Sequence, residues 1–83
     1  MAKYIIRPIA TEKTMLMMER ENKLSFYVTR NASKDDIKEE VEELFSVKVD
    51  EVNTLITRNG KKAIIKLSPE FSADEVGGRI GIF

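Results

Sequence analysis

Apolar and polar residues alternate from position 24 to position 29, which is the clearest two-residue period in the chain. Leu24, Phe26 and Val28 supply the apolar half of this pattern. A period of two is typical of a strand with one buried face and one exposed face. We therefore predict a strand over residues 23–29.

Three other segments favour strands. The runs at residues 51–57 and 61–67 are rich in β-branched and apolar residues, and Asn59-Gly60 between them favours a tight type I′ hairpin turn. The short run at residues 4–6 is closed by Arg7-Pro8, because proline donates no hydrogen bond to a sheet. The continuously apolar segment Ala63-Ile64-Ile65 predicts that the 61–67 strand lies inside the sheet.

Helix signals separate these strands. Thr11 is placed to cap a helix over residues 12–21. Ser33 followed by Asp36 resembles a capping box, and the helix after it has one apolar stripe with acidic residues on its other faces. Ser72 with Glu75 predicts a short last helix. The apolar stripe of the second helix consists of Ile37, Val41, Leu44 and Phe45.

This order of elements predicts an α+β fold in a single small domain over residues 1–83. Its core would be a split β-α-β unit in a mainly antiparallel four-stranded sheet. Strands 23–29 and 51–57 would run parallel through a right-handed helical crossover, with strand 61–67 inserted antiparallel between them. The acidic helix would then cover one face of the sheet and leave the other face largely free.

The composition argues against an enzyme. The chain has no histidine, cysteine or tryptophan, so it lacks imidazole bases, thiolate nucleophiles and the usual zinc ligands. It also has no Walker-type phosphate loop and no Gly-x-Gly-x-x-Gly motif after a strand. We therefore expect no catalysis, no cofactor, no metal site and no small-molecule substrate.

No apolar run is long enough to span a bilayer, which needs about 20 residues. Arg7 and Pro8 interrupt the first apolar run too early for a signal peptide. Together with the missing cysteines, these features predict a cytoplasmic protein that does not insert into membranes.

Charge is segregated along a chain whose formal net charge is zero. Residues 1–31 carry a net charge of +3 and residues 58–66 a net charge of +4, whereas residues 34–51 carry −5. The folded protein would have a basic side that suits phosphates and an acidic side that avoids them. An ordinary solvated surface is the alternative interpretation of the same charges.

Two common RNA-binding modules do not fit. An RNA-recognition motif needs aromatic residues on its central strands, and the 61–67 strand has none. Phe26 and Tyr27 alternate sides, so at most one of them can face outwards. The Gly-x-x-Gly loop of KH domains is also missing. Sequence-specific reading of single strands is therefore not supported, whereas contact with the phosphates and sugars of a structured RNA remains open.

Three blocks resemble one known family, and they occur in the family's order over essentially the whole chain. The blocks are Ile6-Arg7-Pro8-Ile9-Ala10-Thr11-Glu12-Lys13, Val47-Lys48-Val49-Asp50-Glu51-Val52-Asn53-Thr54-Leu55 and Lys61-Lys62-Ala63-Ile64-Ile65-Lys66-Leu67-Ser68. The chain resembles the ribosomal protein twenty-three family of the large subunit. Its short hairpin turn and its last five residues, 79–83, look like the archaeal type rather than the bacterial type, which has a long hairpin arm.

The resemblance implies a structural protein of the ribosome, located in the cytoplasm, that binds large-subunit rRNA beside the exit of the nascent-chain tunnel. Its partners would be that rRNA, neighbouring ribosomal proteins at the exit, and the signal recognition particle or other factors that meet nascent chains. The archaeal character argues against trigger factor, a bacterial chaperone, as a partner.

Basic residues and family positions together give the expected rRNA contacts. The cationic and polar candidates are Arg7, Thr11, Lys13, Lys23, Asn53, Thr54, Arg58, Lys61, Lys62 and Lys66. Glu12 is expected to belong to a docking surface for exit-site factors, as the resemblance implies. Its alternative role is to stabilise the start of the first helix through the helix dipole.

Two further alternatives stay open at this point. The chain could be a free-standing interaction or regulatory domain that dimerises through its open sheet face. Met15, Met17 and Met18 could form an adaptable surface for a partner, although such residues more often fill irregular gaps in a core.

Overall fold

The computed structural model describes residues 2–80, in which four strands and three helices follow one another. The predicted order and the α+β class are confirmed, and the boundaries differ from prediction by at most two residues. Residues 81–83, which belong to the segment that supports the archaeal type, lie outside the described residues. The elements are β1 (Ile5–Pro8), α1 (Glu12–Glu21), β2 (Lys23–Val28), α2 (Lys34–Phe45), β3 (Val49–Thr57), β4 (Gly60–Leu67) and α3 (Ala73–Arg79).

The four strands form one sheet in the order β1-β2-β4-β3, and all neighbouring strands are antiparallel. Strands β2 and β3 therefore run parallel to each other with β4 between them, as the split β-α-β prediction requires. Strand β1 is at an edge of the sheet and ends at Pro8. Proline is tolerated there because an edge strand pairs on one side only, so its missing N–H group breaks no hydrogen bond on the other side.

Local side-chain bonds fix the starts of the first two helices. Thr11 and Ser33 each accept a hydrogen bond from the backbone N–H three residues later, and the side chains of Thr14 and Asp36 accept in return. Both predicted caps are therefore confirmed, and the first includes a reciprocal bond from Thr14 that was not predicted. Helix α2 is followed by its C-cap residue Ser46, whose positive φ of 54°, in the left-handed region, terminates the helix.

The prediction of a type I′ turn is wrong. Thr57 pairs with Gly60, so Arg58 and Asn59 are the central residues of the turn. A type I′ turn needs positive φ at both central positions, and Asn59 does not have it. Only Gly60, at the end of the turn, has a positive φ, at 133°. The connection is nevertheless as short as the sequence indicates.

One face of the sheet carries the hydrophobic core. The apolar residues of β2 and β4 on this core face include Phe26, Ala63 and Ile65, and they cluster with residues of α2 and α3. A register shift between Val49 and Glu51 lets both Val49 and Val52 point to the core. The cluster is Met18, Leu24, Phe26, Val28, Ala32, Ile37, Val41, Val47, Val49, Val52, Ala63, Ile65, Leu67, Ala73 and Val76.

The predicted apolar stripe of α2 is correct for three of its four residues. Ile37 and Val41 are fully buried, and the Phe45 ring stacks on Phe26 with centroids 5.9 Å apart. Leu44 is 41% exposed, so its predicted burial is wrong. It lies ~60° around the helix from Val41, at the margin of the buried face.

Asn22 forms hydrogen bonds that join three segments of the chain. Its amide nitrogen donates to the carbonyl oxygens of Leu67, Ser68 and Phe71 over 2.9–3.4 Å, and its Oδ1 accepts from the Ala73 N–H at 2.7 Å. Its backbone carbonyl accepts from the Leu67 N–H at 3.1 Å. One residue therefore joins the end of α1 to the end of β4 and the start of α3.

Glu40 anchors the beginning of β1 to α2. Its carboxylate accepts hydrogen bonds from the successive backbone N–H groups of Lys3, Tyr4 and Ile5, at 2.9–3.1 Å. Glu40 is one of the acids that the apolar stripe of α2 predicts on its other faces. Hydrogen bonds from neutral donors to a carboxylate are stronger than those between neutral groups, so this contact is expected to stabilise the fold.

We predict that Glu40→Gln lowers the free energy of unfolding by about 2 kcal/mol, because it removes the charge and one of the two oxygen acceptors. Urea unfolding measures this loss. Amide hydrogen exchange at Tyr4 and Ile5 should become faster at the same time.

Glu39→Gln is the matched control, because Glu39 is the adjacent, exposed acid of the same helix. It removes the same charge from the crowded helix without touching β1, and the free energy of unfolding should stay within about 0.5 kcal/mol of the unsubstituted protein. Equal effects of the two substitutions would contradict the anchoring role of Glu40.

Candidate nucleic-acid interface

The face of the sheet opposite the core, here called the open face, presents its side chains in rows across the strands. Arg7, Tyr27, Lys62 and Leu55 are cross-strand partners in the first row. The second row consists of Ser25, Ile64 and Asn53, and the third of Lys23, Lys66 and Glu51. Alternation along β2 and β4 produces this arrangement, because the residues between these positions face the core.

The open face is basic. Its strand positions include four cations, Arg7, Lys23, Lys62 and Lys66, and one acid, Glu51. Neighbouring strands are ~4.8 Å apart and successive rows ~6.7 Å apart, so the four cations can contact several phosphates at once. Five of the predicted rRNA contacts, these cations and Asn53, therefore lie together.

Arg7 covers the aromatic residue of the open face. Its guanidinium carbon lies 4.5 Å from the centroid of the Tyr27 ring, within the range of a cation–π contact. Phe26 faces the core, so the prediction that at most one of these two rings points outwards is confirmed. With the Tyr27 ring covered, Arg7 is held over the sheet and can donate hydrogen bonds from the edge of its guanidinium to phosphate oxygens.

Two predicted contacts lie on the core face instead. The ammonium group of Lys61 donates to the Ala32 carbonyl at 2.6 Å and to the Arg30 carbonyl at 3.4 Å. Thr54 pairs with Ala63 and is half-buried. The adjacent residues Lys61 and Lys62 therefore have different environments, which the count of basic residues could not distinguish.

Two candidates of the open face, Lys23 and Asn53, contact acidic side chains. Lys23 forms an ion pair with Glu21 at 3.2 Å, and the Asn53 amide donates to the Glu51 carboxylate at 3.2 Å. Arg58 is exposed in the hairpin turn. Glu12 is exposed in the first turn of α1.

A small cleft separates the start of α1 from the open face. It has a volume of about 130 Å³, and Thr11 and Lys13 are part of its wall. Ile9, Met17 and Ile64 supply apolar surface, and Ser25 lies among them. Alternation in β2 places Ser25 on the open face, but nothing in the sequence brings Ile9 and Met17 beside it, so sequence reasoning missed this cleft.

The methionines of α1 do not act as one group. Met18 is buried in the main core, at 3% exposure, as the core-filling interpretation expects. Met15 is half-buried, and the half-buried Met17 faces the cleft.

An acidic groove lies between α2 and the beginning of the chain. Its volume is about 490 Å³, and four carboxylates line it together with Lys3, Tyr4 and Leu44. The carboxylates are those of Asp36, Glu39, Glu40 and Glu43. Basic and acidic surfaces are therefore separated in the folded protein, as the charge pattern of the sequence predicts.

Within residues 2–80, no helix has the length and apolar character needed to cross a membrane. The same residues bring together no group of three or more histidine, cysteine or acidic side chains that could hold a metal ion.

Comparison with known families matches this chain to one model. The model described as Ribosomal protein L23 matches residues 3–66, which is more than half of the chain.

Relatives from three archaea are similar over nearly their full lengths. A large ribosomal subunit protein uL23 from Picrophilus torridus is 64% identical over 80 residues, covering 96% of this chain and 98% of the relative. The protein of the same name from Thermoplasma acidophilum is 57% identical, with 95% and 94% coverage. The one from Methanococcus vannielii is 54% identical, with 92% and 90% coverage.

Proposed function

This chain belongs to the ribosomal protein L23 family, and we propose that it binds large-subunit rRNA through its open face, beside the exit of the nascent-chain tunnel. The match confirms the family predicted from the three sequence blocks. The archaeal relatives confirm the archaeal type predicted from the short hairpin turn and residues 79–83. The family consists of ribosomal proteins and not of enzymes, so the non-enzymatic prediction is also confirmed.

The cationic rows of the open face are the observation on which the proposed RNA contact depends. Arg7, Lys62 and Lys66 make no ion pair within residues 2–80, so their charges are available to phosphates. Lys13 adds a fourth such cation at the edge. Contacts to phosphates position a protein on RNA without reading its sequence, which suits a surface whose single aromatic ring is covered.

The opposite surface supports a fixed orientation. The carboxylates of α2 repel phosphates, so the protein would bind with its open face towards the rRNA and α2 directed away from it. Neighbouring proteins and factors at the tunnel exit would then meet the surfaces that the rRNA does not cover. Family membership favours this assembly over the alternative of a free-standing domain that dimerises through the open face.

The sharpest test compares two adjacent lysines. Lys62→Met removes a charge from the open face and keeps the aliphatic part of the side chain. We expect the slope of log K against log salt concentration for large-subunit rRNA to fall by about 0.7–0.9, the value of one phosphate contact. Filter binding over a series of potassium chloride concentrations measures the slope.

Lys61→Met is the control on the core face. It should leave the salt slope unchanged and lower the free energy of unfolding by about 1 kcal/mol, because the Ala32 carbonyl loses its ammonium donor. Equal loss of slope in both variants would contradict the assignment of the RNA contact to the open face.

A second test concerns the proposal that α2 is directed away from the rRNA. Glu39 and Glu43 are both exposed on α2. Replacing both with Lys reverses two charges, and if this surface faces away from RNA, affinity for large-subunit rRNA should stay the same or increase. A marked loss of affinity in the folded double variant would show that α2 contacts the RNA after all.

Glu12 tests the proposed docking role. Its exposed carboxylate is available to basic residues of the signal recognition particle, and a charge pair of this kind acts mainly on the association rate. We expect large subunits with Glu12→Gln to contain a normal amount of the protein and to bind the particle more slowly at low salt. Stopped-flow association measures this rate.

Glu19→Gln removes an exposed acid from the same helix beyond its first turn and serves as the control. If Glu12→Gln subunits bind the particle at the unsubstituted rate while the isolated protein loses about 0.3–1 kcal/mol of stability, Glu12 acts only on the helix dipole.

A further inference from the structure

We propose that the cleft between α1 and the open face holds one unstacked nucleobase of the bound rRNA, with the phosphates on either side of that nucleotide on Lys13 and Lys62. This inference rests on the proposed function and names a ligand within the same interface. It goes beyond contacts to phosphates, because a base would leave the RNA stack and enter the protein.

The cleft has an apolar lining that is separate from the main core. Ile9 is only 7% exposed, yet it is not part of the main core cluster. It lies with Met17 and Ile64 along the cleft, and Leu55, at 43% exposure, is at the outer margin. Apolar side chains can cover the faces of an unstacked base.

The volume of the cleft suits a small planar ring. At about 130 Å³ it exceeds the ~30 Å³ that one water molecule occupies in the liquid. It is well below the ~300–1,000 Å³ of pockets that hold drug-sized molecules. One base fits this range, whereas a complete nucleoside with its sugar would remain partly outside.

Ser25 supplies a polar group among these apolar side chains. The residue is only 5% exposed and lines the cleft. The edge of a base offers both donors and acceptors, so a base in the cleft would be able to form a hydrogen bond with this hydroxyl.

The charges around the cleft distinguish a nucleotide from a protein side chain. Lys13 and Lys62 are both part of its wall, no acidic residue lines it, and neither lysine forms an ion pair within residues 2–80. An apolar side chain from a neighbouring protein would gain nothing from two ammonium groups. A nucleotide has a phosphate on each side of its sugar, which suits an apolar cleft whose wall includes two cations.

The first experiment fills the cleft without changing any charge. Ser25→Val replaces the hydroxyl with a methyl group and adds a second methyl group, while valine remains favourable in a strand. We expect roughly ten-fold weaker binding to large-subunit rRNA, within the range for loss of one stacked base, with an unchanged salt slope. Chemical probing should show one base that the unsubstituted protein protects and that Ser25→Val leaves reactive.

Ser68→Val is the matched control, because Ser68 is the other buried serine of the described residues and lies outside the cleft. It should not change the reactivity of any base. Thermal unfolding of both variants separates a loss of folding from a loss of the base contact.

The second experiment leaves Ser25 in place. Benzophenone-alanine at position 55, at the margin of the cleft, should cross-link to a single nucleotide of the rRNA in reassembled subunits. The same group at position 44 is the control, because Leu44 is similarly exposed, at 41%, and lies in the acidic groove. Position 44 should form no cross-link to rRNA.

Cross-linking of position 55 to a protein instead of a nucleotide would overturn the proposal in favour of an apolar side chain in the cleft. Unchanged base reactivity in folded Ser25→Val would overturn it as well. If Lys62→Met still lowers the salt slope in these cases, only the base site fails and the proposed function stands. If the unsubstituted protein does not bind the rRNA, both fail together.

Discussion

The relation of α1 and α3 to the sheet depends on one side chain, that of Asn22. The residue must adopt positive φ to end α1, and asparagine and glycine are the residues that do so most readily. Glycine would allow the same turn but would lose the amide that binds the chain between β4 and α3. Helix α3 needs this support, since Gly77 and Gly78 give it a low intrinsic propensity. Its first N–H groups are paired by Asn22 and Ser72, so tertiary contacts maintain a helix that its own sequence barely favours.

Successive side chains of a strand point to opposite faces of the sheet, so the two faces have different roles. The core face binds the helices and takes in Lys61, whose charge is held by carbonyl groups of the chain itself. The open face holds Arg7 and Lys66, which are exposed, and Lys62, which is half-buried. A protein with zero net charge can thus have a cationic side, because six of its 14 acids lie on α2 and only Glu51 lies in the rows of the open face. In the proposed function, such a charge distribution would orient the molecule as it approaches the rRNA, without the non-specific attraction of a uniformly basic protein.

Local features of the sequence predicted most of the fold, because caps and two-residue alternation depend on neighbouring residues alone. Thr11, Ser33 and the β2 pattern gave element boundaries close to those observed. The errors concern features that depend on strand register and on tertiary packing. The turn type depends on the pairing of Thr57 with Gly60, and the exposure of Leu44 depends on how α2 rotates over the sheet. For the same reason, the sequence did not show that Lys62 lies on the open face and Lys61 on the core face. The contacts of Glu40 and the cleft beside Ser25 could not be predicted from the sequence either.

The central position of β4 has a consequence for how the chain acquires its structure during synthesis. Strands β2 and β3 are not neighbours in the sheet, and each pairs with β4, the last of the described strands to be made. Before β4 is made, β1 and β2 are the only described strands that can pair, and β2 has no β4 beside it. The sheet is therefore completed late, through contacts between residues far apart in sequence, which slows folding. Its apolar strands remain exposed in the meantime, so the newly made chain is most prone to aggregate just before β4 inserts.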